Sequence, residues 1–197
     1  MQPILFDFFY QQTSHPLVQQ YFETREKIFI DKWNLKNFHG EEDEYDIQSH
    51  ILILHREGRC LGGARLFIRE GYSSQFLPME ASDFSLKNLL PELDLAHNKY
   101  GELSRVVLSE ELQTDNYSAQ MYKNIAQKGR ECAVRYIFAV APLLQARKSR
   151  MVCRSQGIWI EDKIDISIPN REIYEGLRMR LSVVDLTKEY HPQLVSQ

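Results

Sequence analysis

Three arginines in this chain interrupt segments that would otherwise pack as core. Arg25 lies on one helical stripe with Phe29 and Trp33, at i, i+4 and i+8. Arg65 breaks the apolar run LGGARLF, and Arg105 breaks ELSRVVL. An unpaired guanidinium inside a protein is very costly, so each needs an anionic partner. The chain must therefore fold so that separate elements deliver carboxylates to these positions. One source is HGEEDEYD, where Glu41, Glu42, Asp43, Glu44 and Asp46 fill five of the six positions 41–46 around Tyr45. Another is Glu102, three residues before Arg105. Together they imply a desolvated ionic network of the kind that shapes a polar pocket. Glu42 and Glu44 read as plain surface.

The flanking patterns give an α/β architecture. MQPILFDFFY reads as a first strand, and TSHP opens a helix that runs to Trp33. Residues 49–70 read as two strands joined by a tight turn at Glu57-Gly58. A short helix is expected over DFSLKNLL, a strand over 100–109, a long helix over 117–135 and a buried strand over YIFAVAP. A basic helix over 143–155 precedes two β-rich segments, WIEDKIDISI and IYEGLRMRLSVVDL. An antiparallel meander, a βαβα unit and closing strands make a sandwich around a mixed sheet. With 197 residues and no linker or repeat, one domain over 1–197 is expected.

Several chemistries are excluded or left without support. The three cysteines, Cys60, Cys132 and Cys153, are widely spaced, which fits a reducing cytoplasm better than a disulfide framework or a zinc site. The histidines show no metal spacing, and the acidic run lacks the glycine and distal glutamate of a calcium loop. Ser104 lacks a nucleophile elbow. No apolar run approaches the roughly 18 residues of a membrane helix, and the N-terminus does not read as a signal peptide. Charge is uneven: Tyr122 to Arg154 carries eight basic residues and one acid, whereas the whole chain is −3. That asymmetry fits docking of an acidic partner.

The elements Arg25-x3-Phe29-x3-Trp33, Glu41-x-Asp43-x-Tyr45-Asp46, GGARL at 62–66, Phe84 after LPME, and Glu102-x-Ser104-Arg105 resemble, in order, the acyl-homoserine lactone (autoinducer) synthase family. The resemblance covers roughly residues 25–105. It implies a GNAT-like three-layer α/β sandwich with a central mixed, mostly antiparallel sheet. It also implies an acyltransferase that moves a fatty acyl chain from acyl carrier protein to the amine of S-adenosylmethionine and closes a lactone. On this likeness Glu102, Asp43, Arg65 and Arg105 are the candidate catalytic residues, with Glu102 the first choice of base. Arg25, Phe29, Trp33, Glu41, Asp46 and Phe84 are candidates for binding the substrate, the acidic run forming a wall of the amine pocket. Phe138, Val140 and Leu144 are candidates for the acyl pocket. The sequence departs from the pattern where Lys32, not glycine, precedes Trp33, and where RLFIR lacks a proline. These departures leave the amino substrate open.

No cofactor or metal is expected beyond the two substrates, and no nucleic-acid partner. Lys123, Lys128, Arg147, Lys148, Arg150 and Arg154 are expected to dock the carrier protein, Arg147, Arg150 and Arg154 forming one helical stripe. No glycine-rich pyrophosphate loop precedes the helix near 117, although its backbone N–H groups suit a phosphopantetheine arm. The alternatives are an N-acyltransferase that acylates a free amino acid or other amine without lactone formation, and a non-catalytic domain that binds a carrier protein.

Overall fold

A computed structural model describes residues 2–81, 83–112, 115–169 and 177–191. Its elements in chain order are β1 (Leu5–Tyr10), α1 (Pro16–Trp33), β2 (Ser49–Arg56), β3 (Arg59–Arg69), α2 (Leu86–Leu89), β4 (Tyr100–Leu108), α3 (Asp115–Glu131), β5 (Tyr136–Pro142), α4 (Leu143–Ser155), β6 (Ile158–Lys163) and β7 (Met179–Glu189). They form one sheet of seven strands in the order β1-β2-β3-β4-β5-β7-β6. Every pairing is antiparallel except that of β4 with β5, which are joined by the α3 crossover.

Alternation along β2 divides the core between the two faces of the sheet. Ile51 and Ile53 pack with Leu17, Val18, Phe22 and Phe29 of α1. Leu52 and Leu54 point the other way, into a cluster with Met121 and Ile125 of α3 and Val152 of α4. A third cluster joins Phe67, Tyr100, Phe138 and Leu181 to Leu77, Phe84, Leu86 and Leu90, so the segment after β3 also covers part of a face.

The local chemistry agrees with these boundaries. The His15 ring caps α1 by accepting from Leu17 N–H at 3.2 Å, and Pro16 opens the helix. Asn34 ends it in the left-handed region, φ 54. Glu57 and Gly58 both have positive φ, 52 and 75, as a two-residue hairpin turn with primed geometry requires.

Some extents differ from those read in the sequence. α3 ends at Glu131 because the chain turns into the left-handed region at Ala133, φ 57, before β5. The strand in WIEDKIDISI stops at Lys163. β7 inserts between β5 and β6, a long-range choice that local pattern does not express. The start of IYEGLRMRLSVVDL lies outside the described residues. No helix among the described residues is long and apolar enough to cross a membrane.

The feature that positions the site is a split in the sheet. β4 and β5 pair only from Tyr100 to Glu102 and from Tyr136 to Phe138. Beyond that point β4 bulges, with Arg105 at φ 55 and a register shift against β3. The Tyr21 hydroxyl donates to the Arg105 carbonyl at 2.7 Å and ties the bulge to α1. Gly63 makes room for that tyrosine, since a Cβ there would lie 2.8 Å from the Tyr21 ring and 2.5 Å from Leu52 O.

Candidate active site

The arginines and carboxylates converge beside the split. Arg25, fully buried on α1, forms a two-pronged pair with Asp46, Nη1 to Oδ1 at 2.9 Å and Nη2 to Oδ2 at 2.7 Å. Its Nε donates to Gly40 O at 2.7 Å, and Nη2 also donates to Glu41 O. Gly40 is required for this approach because a Cβ there would meet Glu26 Cβ at 2.3 Å. Arg65, on β3, donates from Nη1 to both Asp43 oxygens at 2.6 and 2.7 Å and to Asp46 Oδ1 at 3.2 Å. Its Nε donates to Ser104 Oγ at 3.1 Å. Arg105 brings Nη2 to 3.6 Å from Asp43 Oδ2, with its guanidinium 4.6 Å from the centre of the Phe38 ring. Four elements are thereby locked together.

Burial would raise the Asp43 carboxyl, but Arg65 and then Arg105 overcome it and hold the group below the usual aspartate range. Burial likewise works against charge on Arg65, and Asp43, Asp46 and Glu102 reverse it. Glu102 differs. It is almost fully buried, and burial pushes its carboxyl up to about 7 even though Arg65, the Met79 N–H and Arg105 favour the ionised form. Its Oε2 accepts from Met79 N–H at 2.6 Å.

Where β4 and β5 part, a cavity of about 190 Å³ passes between them. One end is lined by Phe29, Trp33, Arg65, Pro78, Met79, Glu102, Ser104 and Arg105; the other by Ile137, Ala139, Ala146, Cys153, Ile160 and Val184. A second cavity of about 320 Å³ adjoins it between β4, α3 and α4, lined by Lys32, Val106, Val107, Leu108, Ser118 and Lys148 among others. Both include Tyr122, Gln145 and Ser149. The Tyr122 hydroxyl lies 2.6 Å from Ser149 Oγ.

The structure brings Arg65, Glu102, Arg105, Phe29, Trp33 and Val140 to the cavity wall. It places the others elsewhere. Arg25, Asp43 and Asp46 brace Arg65 from behind the wall. Glu41 contributes its carbonyl to Arg25 while its side chain is exposed, so the acidic run is a brace and not a wall. Phe84 is core beneath the segment after β3. Phe138 is fully buried in the same core, whereas Ile137, Ala139 and Val140 of β5 reach the cavity. Leu144 is 77% exposed on α4 and lies away from the cavity.

The basic helix also needs correction. Arg150 pairs with the buried Asp162, and Arg154 lies 4.9 Å from the Tyr190 ring centre, so both turn toward β6 and β7. Lys128 pairs with Glu131 at 2.8 Å and lies over Phe8 of β1. The outward face of α4 carries Leu144, Arg147, Lys148 and Met151 instead, and Lys123 is exposed on α3. Sequence reasoning missed Met79, whose backbone acts, and Gln145, Ser149 and Cys153, whose helical spacing along α4 was available as a signal.

Several solved structures share this fold. The acyl-homoserine lactone synthase LasI matches with a TM-score of 0.62 and 15% identity over 93% of this chain and 90% of that chain. A CoA-dependent acyl-homoserine lactone synthase, BjaI, with SAM and isopentyl-CoA, matches with a TM-score of 0.65 and 14% identity, over 97% and 85%. FeeM, an N-acyl amino acid synthase from uncultured soil microbes, matches with a TM-score of 0.57 and 12% identity, over 94% and 92%. No protein-family model and no curated protein matches the chain by sequence. The chain has the GNAT-like fold of these acyltransferases.

Removing Asp46 leaves Arg25 buried without its principal counter-charge. Asp46→Ala should therefore lower stability by about 3–5 kcal/mol, read from chemical denaturation; a loss below about 1 kcal/mol would contradict a buried network.

The raised Glu102 carboxyl has a testable sign. Its value is 4.5 for an unperturbed glutamate and about 7 in the folded chain. Its contribution to stability is thus complete below the lower value and declines as pH rises through the upper one. Glu102→Gln is neutral throughout, so its melting temperature should gain on wild type between pH 5 and pH 8. Calorimetry across that range checks this, and a constant difference would refute it.

Proposed function

We propose that this chain is an N-acyltransferase that moves a fatty acyl group from acyl carrier protein to the amine of S-adenosylmethionine, yielding an N-acyl-homoserine lactone. The observation that carries the reading is a cavity through a split sheet, with a buried carboxylate between two arginines at one end and an apolar lining at the other. Such a cavity holds a long acyl chain with its thioester carbonyl near Glu102.

In this reading the substrate amine loses a proton to Glu102, directly or through a water, and its nitrogen attacks the thioester carbonyl. The tetrahedral centre collapses, the C–S bond breaks and the thiolate takes up a proton. The acylated product then closes as its carboxylate oxygen displaces the sulfonium-bearing carbon's leaving group, methylthioadenosine. Arg65 and Arg105 orient the substrate carboxylate, and Phe29 and Trp33 offer aromatic faces to a cation. The second cavity, beside the start of α3 and the unpaired edge of β4, suits the phosphopantetheine arm, with Lys32 and Lys148 on its walls.

One observation favours the reading with a free amino acid as acceptor. Among the described residues of the cavity wall, Glu102 is the one carboxylate, because Asp43 and Asp46 are engaged behind it. A zwitterionic amino acid needs less negative charge there than a sulfonium does. Incubation with acyl carrier protein thioesters, S-adenosylmethionine and mixed amino acids, read by mass spectrometry, decides between them. A lactone supports the first reading, an acyl-amino acid the second, and absence of turnover removes both.

Glu102→Gln keeps the shape and should lower kcat by about 100-fold or more. Wild-type turnover should rise with pH through about 7, where Glu102 ionises, and the variant should lack that limb. Near-wild-type activity in the variant would eliminate Glu102 as base.

Carrier-protein docking belongs on the outward face of α4, where Arg147 and Lys148 flank Leu144 and Met151. Reversing Arg147 and Lys148 to Glu should raise KM for acyl carrier protein about tenfold at low salt, an effect that shrinks as salt increases. KM for the amine and the melting temperature should stay put. Arg150→Glu should instead reduce stability, because it sets a second carboxylate against the buried Asp162, to which Ser182 donates as well. Unchanged use of the carrier protein by the double reversal would place docking elsewhere.

A further inference from the structure

Between β3 and α2 the chain folds around a second buried ion pair, distinct from the arginine network. Glu80 and Arg69 are 1% and 3% exposed at their side chains and meet at 3.1 Å, Nη1 to Oε2. Glu80 also binds the backbone on both sides of itself: Oε2 accepts from Leu77 N–H at 2.9 Å, and Oε1 from Leu86 N–H at 2.8 Å. Arg69 Nη2 donates to Ser73 O, and its guanidinium lies 5.1 Å from the Tyr100 ring centre. One carboxylate therefore fixes the strand end, the start of the loop and the start of the next helix. At the centre of this clasp lies Met79, whose N–H meets Glu102 Oε2 at 2.6 Å, while Pro78 and Met79 line the cavity.

We propose that Glu80, clamped by Arg69, is a positioning residue that aims the Met79 N–H at Glu102 and thereby holds the candidate base in its oriented, ionised form. The proposal rests on the assignment of Glu102 as base for its functional meaning, but not for its geometry. Every residue but proline would supply the same backbone N–H at position 79, so the clasp, and not the Met79 side chain, is the handle by which the chain controls this hydrogen bond. The other groups facing Glu102 are Arg65 from β3, four residues before Arg69, Ser104 and Arg105 from β4, and Tyr45 from the acidic turn. Around Glu80 itself are Arg69, Lys87 and Tyr100.

Glu80→Gln replaces one of the two accepting oxygens by an amide that must face an N–H donor. Met79 should then withdraw, and the ionised form of Glu102 loses a donor. Two readings on the full-length chain test this. The first is the titration of the Glu102 side-chain carboxyl carbon by NMR, assigned with Glu102→Gln. The second is the pH dependence of kcat.

The midpoint of the Glu102 titration should move alkaline by about one unit, a tenfold change in its ionisation constant. The rising limb of kcat should move with it, so that the variant is about tenfold slower below pH 6 and approaches wild type above pH 9. A structural role alone would lower stability, or lower kcat evenly, without moving either midpoint. A folded Glu80→Gln protein with an unmoved NMR titration overturns the proposal. A moved titration with an unmoved kinetic limb leaves the positioning role standing and removes Glu102 as base. Should Glu80→Gln fail to fold, Glu80→Asp, which keeps the charge but is one methylene too short to reach both Leu77 and Leu86 N–H, carries the same two readings with a shift in the same direction.

Discussion

Burial of the Arg25 and Arg65 guanidinium groups is the constraint on which the rest of the molecule depends. Neither can lose its proton, and neither reaches bulk water, so each must be surrounded by oxygen acceptors. The chain meets this demand by bending back after α1 so that Gly40 O, Glu41 O and Asp46 wrap Arg25, and by extending the same turn until Asp43 and Asp46 reach Arg65. A helix, a loop and two strands become one rigid block. Such a block is not an efficient source of stability, since well-packed apolar residues often do as well. Its value is that it fixes where charged groups stand at the edge of a cavity.

The second constraint is the split between β4 and β5. A parallel pair that stops after three register positions leaves N–H and C=O groups of both strands facing the opening. A bulge in β4 at Arg105, held by the Tyr21 hydroxyl and accommodated by Gly63, turns the strand away from its neighbour. β7 then completes the sheet on the far side of β5, so the opening is internal and not an edge. The result is a cavity with polar and apolar ends built from the backbone plan itself, which α3 and α4 only roof.

The parts that could be read from sequence were those whose chemistry is incompatible with their surroundings. Arginine within an apolar strand demands a partner, and the concentrated acids at 41–46 were the available ones. Glu57-Gly58 announced its turn because its backbone needs positive φ at both positions. What escaped had no such incompatibility. Ile137, Ala139 and Ala146 line the cavity, but apolar residues at a cavity look like those in a core. Glu41 acts through its carbonyl, which every residue possesses. Helical spacing put Arg147, Arg150 and Arg154 on one stripe, yet spacing alone does not say which way that stripe faces; the buried Asp162 drew Arg150 inward. Phe84, placed in the site by resemblance, and Phe138, placed there for its apolar character, are both held in the core.

The two kinds of carboxylate in the site are consequences of one arrangement. Arg65 has a single positive charge, and its Nε and Nη1 donors are already directed at Asp43, Asp46 and the Ser104 hydroxyl. Asp43, facing Arg65 and Arg105 together, is stabilised as an anion despite partial burial. Glu102 feels the same arginines only through space, makes its close hydrogen bond with a neutral N–H, and is buried more deeply, so desolvation prevails. A carboxylate intended as a proton acceptor near neutral pH requires this imbalance, since a full ion pair with Arg65 would hold it as a weak base. The acidic turn therefore shapes the base without touching it: by engaging Arg65, Asp43 keeps the guanidinium from pairing with Glu102. The acids that looked from the sequence like the wall of an amine pocket bear on the chemistry through that diversion of charge.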